Sequence, residues 1–270
     1  MLRLSIITIN LNNSAGLQKT IESVVQQTSI DFEYILIDGG STDNSVEVIK
    51  QYQHKITYWI SEPDKGIYSA MNKGIKAAKG EYLQFLNSGD YLLAPNVTGR
   101  MLDNLPNCSI IYGNKIRELN GKSKIEKSYA GRQITLVDLY NSTIFHACAY
   151  IKRSLFEQYG FYDETLKIVS DWKFYLVVVG LNNETVAYRD IDLVWFDSNG
   201  ISSTHKALDK IERKQVIAEV IPTSIRLDYD KFAIDGQILN RLKKSKVAWF
   251  VVLTLYRIIF RIDKLLKNNE

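Results

Sequence analysis

Of the 270 residues, 46% are hydrophobic, 24% charged and 11% aromatic, which suits a globular chain with a sizeable core and excludes disordered, collagen-like and disulfide-stapled classes. Four prolines and 15 glycines leave no low-complexity linker, and the two cysteines, Cys108 and Cys148, fit neither a metal-binding nor a disulfide framework, so both are expected as small buried groups in a reducing compartment. The net charge of +4 is uneven: across residues 240–270 eight Lys or Arg face two acids, so a basic tail follows a mildly acidic body.

Residues 1–13 hold too short an apolar stretch for a signal peptide, and no uncharged apolar run approaches the roughly 20 residues that a bilayer requires. A cytoplasmic location is the expectation. Along the first third, β-branched runs alternate with helical patterns, the signature of βαβ units and a mainly parallel sheet. Residues 4–9 read as a buried strand, and a helix opens at Ser14 with Leu17, Ile21, Val24 and Val25 on one face. Residues 34–37 form the second strand, ending at Asp38-Gly39-Gly40-Ser41-Thr42-Asp43, where Asp43 can cap a helix over 44–52. A third strand over 56–60 leads through Asp64-Lys65-Gly66 to a helix carrying Ile67, Ala70, Met71, Ile75 and Ala78, closed by Gly80. The fourth strand, 82–86, ends in Asn87-Ser88-Gly89-Asp90. In a parallel sheet these polar segments gather at the carboxyl edge, where open α/β folds bind ligands.

The middle third changes to a mixed sheet. Strands are expected over 110–117, 124–129, 147–152 and 185–196, and helices over 136–140, 154–159 and 171–179. An amphipathic helix follows over 204–221 with Leu208, Ile211, Val216 and Val220. Residues 237–267 lack proline and glycine and read as one long helix whose centre, 247–260, is apolar on nearly all faces except at Arg257. Fourteen residues cannot cross a bilayer; basic flanks with Trp249, Phe250, Tyr256 and Phe260 suit a helix in the headgroup layer of an anionic membrane, or one packed on the body or on a second subunit as in a homo-oligomer. This apolar density fits lipid better than nucleic acid. The expected organisation is one domain over 1–230, divided at 95/96, with a helical tail over 231–270.

Four carboxylates stand out: Asp38, Asp64, Asp90 and Asp171. Singly, each reads equally as a turn or cap residue, Asp171 as an acid following Ser170 at a helix N-terminus. Together on one edge they suit a hard cation or a polyhydroxylated ligand. Asp90, flanked by Asn87, Ser88 and Gly89, offers oxygen donors to Mg2+ or Mn2+ with a diphosphate completing the shell. The first strand continues as Thr8-Ile9-Asn10-Leu11-Asn12 without a GxGxxG turn, which disfavours a dinucleotide enzyme, and hydrolase motifs GxSxG and HExxH are absent.

Ser5-Ile6-Ile7-Thr8, the 38–43 turn, the run Ser61-Glu62-Pro63-Asp64-Lys65-Gly66-Ile67-Tyr68-Ser69-Ala70-Met71-Asn72-Lys73-Gly74 and Phe85-Leu86-Asn87-Ser88-Gly89-Asp90 together resemble family 2 glycosyltransferases of the GT-A fold, non-processive and of the bacterial polysaccharide-biosynthesis type. The resemblance implies an α/β fold, a Rossmann-like mainly parallel sheet continuing into a mixed sheet, flanked by helices and followed by the helical tail. It implies a nucleotide-diphosphate sugar donor contacted by Thr8, Asn10, Asp38, Asp64, Asn72 and Asn87, a divalent metal ion (Mn or Mg) on Asp90, and inversion with Asp171 as general base. The acceptor would be a saccharide or lipid-linked saccharide in cell-surface polysaccharide synthesis, reached from the inner face of the membrane. Lys65, His146 and His205 are further substrate contacts to consider. The chain departs from the family where many members have a second acid, at Gly39, and carboxylates, at Asn87 and Gly89; it also lacks the Gln-x-x-Arg-Trp motif of processive polymerases, which favours single-sugar transfer. A non-catalytic sugar-nucleotide-binding subunit is the alternative that the depleted metal motif keeps open.

Overall fold

The structure, a computed structural model, describes residues 2–29, 31–104, 107–200 and 204–267. Two compact units divide the chain, Met1–Lys214 and Gln215–Glu270. The first is built on a nine-stranded sheet of order β3 (Tyr58–Ser61), β2 (Phe32–Asp38), β1 (Leu4–Asn10), β4 (Tyr82–Phe85), β8 (Ala149–Lys152), β6 (Ile110–Leu119), β9 (Val186–Trp195) and β5 (Tyr91–Leu92), with β7 (Lys122–Glu126) paired to β6. Strands β1 (Leu4–Asn10), β2 (Phe32–Asp38), β3 (Tyr58–Ser61) and β4 (Tyr82–Phe85) are mutually parallel. Helices α1 (Ser14–Val25), α2 (Ser45–Tyr52) and α3 (Ile67–Ala77) are the crossovers between them, as parallel pairing requires. All seven residues of β1 are buried, because the sheet is covered on both faces. Ile6 packs with Leu17, Ile21 and Val24 of α1 and with Leu36, and this core runs on to Ile111, Tyr150 and Leu193.

Between β1 and β2, Leu4 pairs with Phe32 and the ladder stays in step to Asn10 opposite Asp38. The polar ends of the two strands thus lie side by side at the carboxyl edge.

Beyond β4 come β5 (Tyr91–Leu92) and α4 (Val97–Leu102), two short elements outside the expectation. The mixed half has β6 (Ile110–Leu119), β7 (Lys122–Glu126), α5 (Leu136–Asn141), β8 (Ala149–Lys152), α6 (Ser154–Tyr159), α7 (Ser170–Tyr175) and β9 (Val186–Trp195). Strand β8 runs antiparallel to both β4 and β6 and so joins the two halves into one sheet. Cys108 and Cys148 are free and buried, as expected.

Local readings need correction in four places. Gly80 does not close α3, which ends at Ala77; a Cβ at Gly80 would stand 2.5 Å from the Leu4 carbonyl carbon, so its role is close approach to β1. Ser170 does not cap α7, whose preceding residue is Val169; its hydroxyl accepts from the Asp163 amide at 2.6 Å. The helix expected to reach 179 is α-helical only to Tyr175 and then widens into a π-helix over Leu176–Leu181. The tail is two helices rather than one. After α8 (Lys206–Val220) come α9 (Thr223–Lys243) and α10 (Lys246–Lys267). Ser245 makes the break, its carbonyl accepting from Trp249 N at 2.9 Å and its hydroxyl from Ala248 N at 3.3 Å, the bonding of a helix N-cap.

Candidate active site

A cleft of about 930 Å3 opens at the carboxyl edge of the first unit, and it draws on β1, the loops after β2, β3, β4 and β9, and the start of α7. Asn10, Asp64, Asn87, Asp90, His146 and Asp171 all line it. One pocket therefore collects six of the residues singled out from the sequence.

Three others lie behind that lining, engaged within the fold. Asp38 is fully buried and accepts from Asn10 Nδ2 (2.7 Å), Ser41 Oγ (2.6 Å), the Ser41 amide (2.9 Å) and Ser61 Oγ (2.6 Å). Burial alone would raise its pKa, but these hydrogen bonds win and hold the carboxyl below its ordinary value. Thr8 donates to the Leu86 carbonyl (2.8 Å) and accepts from Tyr34. Asn72 donates to Tyr162 O and Glu164 Oε1 and accepts from the Tyr162 amide, tying α3 to the loop before α7. Thr8, Asp38 and Asn72 hold the walls; none lines the cleft.

The lining residues differ in having polar atoms to spare. Among the described residues, Asn10 Oδ1 and Asn87 Oδ1 are buried without a hydrogen-bond partner. Asp64 pairs through Oδ1 with Lys73 at 2.6 Å, while its Oδ2 is buried and lacks a hydrogen bond. Burial raises the Asp64 pKa against the pull of Lys73. Buried polar atoms are rarely left unpaired in native proteins, so three on one wall point to a ligand that completes them.

Asp90 is 5% exposed. Its Oδ1 accepts from the Asp197 amide at 2.8 Å. Gly89 has φ of 106°, and a Cβ there would meet Asp197 Oδ2 at 2.8 Å, so only glycine lets the two acidic segments approach. Burial pushes the Asp90 pKa up to about 7; the Asp197 amide opposes this, the Asp197 carboxylate adds to it, and Lys115 opposes it. Lys115 itself lines the cleft between the rings of Phe145 (3.9 Å) and Phe196 (4.5 Å), with its pKa lowered by burial. Among the described residues no three His, Cys, Asp or Glu gather as a metal cluster. Asp90, Asp197 and Asn87 line the cleft with oxygen donors, the chemistry that a hard divalent cation sharing its shell with a diphosphate takes.

Asp171 stands in the first turn of α7. The Tyr68 hydroxyl lies 2.9 Å from Asp171 Oδ1 and 2.6 Å from the Ile168 carbonyl, within hydrogen-bond reach of both acceptors. Burial and the Asp171 charge raise the Tyr68 pKa well above its ordinary value, so it remains a donor. His146 stacks on Phe85 (centroids 4.9 Å apart) and meets Tyr162 Oη through Nε2 at 2.9 Å; burial lowers its pKa, against the Asp171 charge, and favours the neutral ring.

Helix α8 reaches this corner from the other side. Glu212, 6% exposed, accepts from the backbone amides of Lys167 (2.7 Å), Ile168 (2.9 Å) and Val169 (3.3 Å). It thereby shapes the segment that presents the Ile168 carbonyl to Tyr68 and leads into Asp171. Arg213 lies 4.3 Å over the Trp172 ring and lines the cleft.

Lys65 and His205 are exposed and outside the lining; His205 Nδ1 meets Thr204 Oγ1 at 2.9 Å. Residues 201–203, just before His205, lie outside the described residues. Asp197, Lys115, Glu212 and Arg213 were not singled out from the sequence. Asp197 carried a readable signal, since Asp197-Ser198-Asn199-Gly200 follows a strand as Asn87-Ser88-Gly89-Asp90 does.

Residues 5–160 match the family model "Glycosyl transferase family 2". The chain belongs to that family. A relative from Mycobacterium tuberculosis, named only as an uncharacterized glycosyltransferase, is 34% identical over 211 residues, 74% of this chain and 76% of its own length. A PGL/p-HBAD biosynthesis glycosyltransferase of Mycobacterium bovis is 30% identical over 63% of this chain and 67% of its own. Among solved structures, Staphylococcus aureus TarS 1-349 with UDP-GlcNAc superposes with a TM-score of 0.60 at 19% identity, covering 75% of this chain. The Pyrobaculum calidifontis mannosyltransferase PcManGT, with GDP-Man and Mn2+, gives 0.62 at 12% identity and 81%. This family 2 chain spans 60% of that TarS chain and 64% of PcManGT. The likeness establishes the GT-A fold, and the family makes the protein a glycosyltransferase.

Proposed function

We propose that this glycosyltransferase moves a single sugar from a nucleotide-diphosphate sugar to a hydroxyl of a saccharide or lipid-linked saccharide acceptor, with inversion at the anomeric carbon. One observation carries the reading: Asp171 opens on the same cleft as Asp90 and the unpartnered oxygens of Asn10, Asp64 and Asn87. The donors in TarS and PcManGT, UDP-GlcNAc and GDP-Man, support a nucleotide sugar as ligand.

Asn10 and Asp64 complete their hydrogen bonding on the nucleotide moiety. Asp171 accepts the proton of the acceptor hydroxyl as its oxygen bonds to C1; the C1–O bond to the diphosphate breaks and the electron pair leaves with the nucleoside diphosphate. Tyr68, hydrogen bonded to Oδ1, orients the carboxylate so that its other oxygen meets the hydroxyl. A divalent cation held by Asp90, Asp197 and Asn87 would supply countercharge for the departing diphosphate. PcManGT with Mn2+ supports that assignment.

The apolar surface of α10 belongs to the same reading. Phe250 is 68% exposed and Phe260 59%, with Val247, Leu255, Tyr256, Ile258 and Ile259 also open, and Arg257 and Arg261 exposed among them. No described helix is long and apolar enough to cross a membrane. Such a helix suits the headgroup layer of an anionic membrane, where a lipid-linked acceptor would be found.

The test is transfer from UDP- and GDP-sugars, with and without Mn2+, by the native protein and by Asp171→Asn, with product configuration read by NMR. A loss of about 100-fold or more in the variant is expected. Undiminished transfer removes the base, a retained configuration removes the inversion, and donor binding without turnover on any acceptor returns the binding-subunit alternative.

A further inference from the structure

Arg213 is held on two sides and unsatisfied on a third. Its Nε donates to both carboxylate oxygens of Asp209 at 3.1 and 3.2 Å, and its guanidinium lies 4.3 Å over the Trp172 ring. Among the described residues its Nη1 is buried with no hydrogen-bond partner, although the side chain lines the cleft. Trp172 is fixed in turn, 1% exposed, with its Nε1 donating to the Leu139 carbonyl at 2.6 Å. A guanidinium oriented in advance with spare N–H groups is suited to a carboxylate or phosphate oxygen.

Lys167 adds a second positive charge at the same corner. Its amide is bound by Glu212, the residue before Arg213, and its exposed side chain lines the cleft with no ion pair among the described residues. The acids facing this corner are Asp171 and Asp209, with Asp197 also on the cleft wall. Asp209 is occupied by Arg213 Nε, and Asp171 by Tyr68 at one oxygen. Trp172 is the residue next to Asp171, and both cations line the cleft on which that carboxylate opens.

We propose that Arg213 and Lys167 form an oxyanion subsite for the acceptor, so that the acceptor bears a phosphoryl or carboxylate group near its reacting hydroxyl. This rests on the reading of Asp171 as the base facing the acceptor. The subsite is separate from Asn87 and Asp90, which serve the donor diphosphate. Lys115 and Arg117, the other cations of the cleft, are committed to Glu126.

The experiment is calorimetric titration of inorganic phosphate and of glycerol 3-phosphate into the full chain, with glycerol as the neutral control, first without nucleotide and then with saturating UDP and Mg2+. Both anions are expected to bind, glycerol not, and UDP to leave the site open. Arg213→Gln should weaken anion binding about tenfold, Lys167→Gln severalfold, and neither should change UDP affinity. Unchanged anion affinity in both variants overturns the proposal. So does displacement of phosphate by UDP together with a matching loss of UDP affinity in Arg213→Gln, which would give the guanidinium to the donor diphosphate. Should Arg213→Gln lose its fold, the exposed Lys167→Gln decides alone. Failure of the native protein to bind UDP and GDP alike would sink the donor reading, while the titration without nucleotide still reports on the subsite.

Discussion

Burial of Asp90 writes a pH dependence into the fold. Its carboxyl moves from 3.8 to about 7, chiefly through desolvation. At 1.36 kcal/mol per pKa unit, ionising it in the native state costs about 4 kcal/mol more than in the unfolded chain. Between about pH 4 and 7 the native state holds more protons than the unfolded state, so stability falls as pH rises through that window. Carboxyls with lowered pKa, such as Asp38 and Asp138, act in the opposite direction and below about pH 4, so they do not mask it. Asp90→Asn keeps an oxygen for the Asp197 amide and removes the ionisation. Urea unfolding at about pH 5 and pH 8 should show the native protein losing about 3 kcal/mol relative to the variant. A divalent cation competes with that proton, so Mn2+ should raise the melting temperature more at about pH 8 than at pH 6, and should fail to do so in Asp90→Asn. Parallel pH profiles for native and variant would refute the buried-carboxyl argument, and a Mn2+ shift indifferent to Asp90 would refute the cation assignment.

Glu212→Ala strands three backbone amides, two of them buried, and should cost about 3 kcal/mol in urea unfolding; Glu212→Gln, which can still accept, should recover part of it and depress kcat more than donor KM, because what it loosens is the approach to Asp171. Gly74→Ala should destabilise by about 1–3 kcal/mol, since its Cβ would stand 2.4 Å from Ile7 Cγ2 where α3 crosses β1; a melting temperature equal to the native one would contradict that packing. Reversing charge with Arg257→Glu and Arg261→Glu in the full chain should abolish sedimentation with phosphatidylglycerol vesicles while leaving UDP binding intact, and equal sedimentation would count against the membrane reading.

The parallel half was legible in the sequence because buried strands such as 4–9 and 34–37 are continuous apolar runs, and because the turns after them hold Asp, Asn and Gly at their carboxyl ends. Strand β5 was not, since two residues carry no periodicity. The break at Ser245 was missed for a related reason: the helical pattern on either side masks a cap that acts through one hydroxyl. For the site, residue type predicted membership of the cleft better than orientation within it. Asp38 and Asp64 look alike as turn acids, yet only tertiary contact brings Ser61 to the first and leaves an oxygen of the second unbonded. Glu212 had a faint signal, an acid on the stripe that Leu208 and Val216 continue at helical spacing. An acid there needs buried donors, and sequence spacing does not say which ones.

The division between satisfied and unsatisfied polar groups also orders the chemistry. Asp38, Thr8, Asn72 and Glu212 spend their hydrogen bonds on the fold, each joining segments distant in the chain. Mutation of Asp38, Thr8 or Asn72 should therefore lower stability and donor binding together, and mutation of Glu212 stability and turnover. Asn10, Asp64, Asn87 and Arg213 each keep a buried polar atom unpaired, a cost to the free protein that a ligand removes. Changes there should weaken the ligand and cost stability only through the partner each side chain also holds, Asp38 for Asn10, Lys73 for Asp64 and Asp209 for Arg213. Asp171 falls between the two groups, lining the cleft with one oxygen held by Tyr68. Tyr68→Phe separates its two duties, because it releases the carboxylate from its orienting bond without altering its charge. If orientation matters, kcat falls while donor affinity holds; if only the charge matters, the variant works as the native protein does.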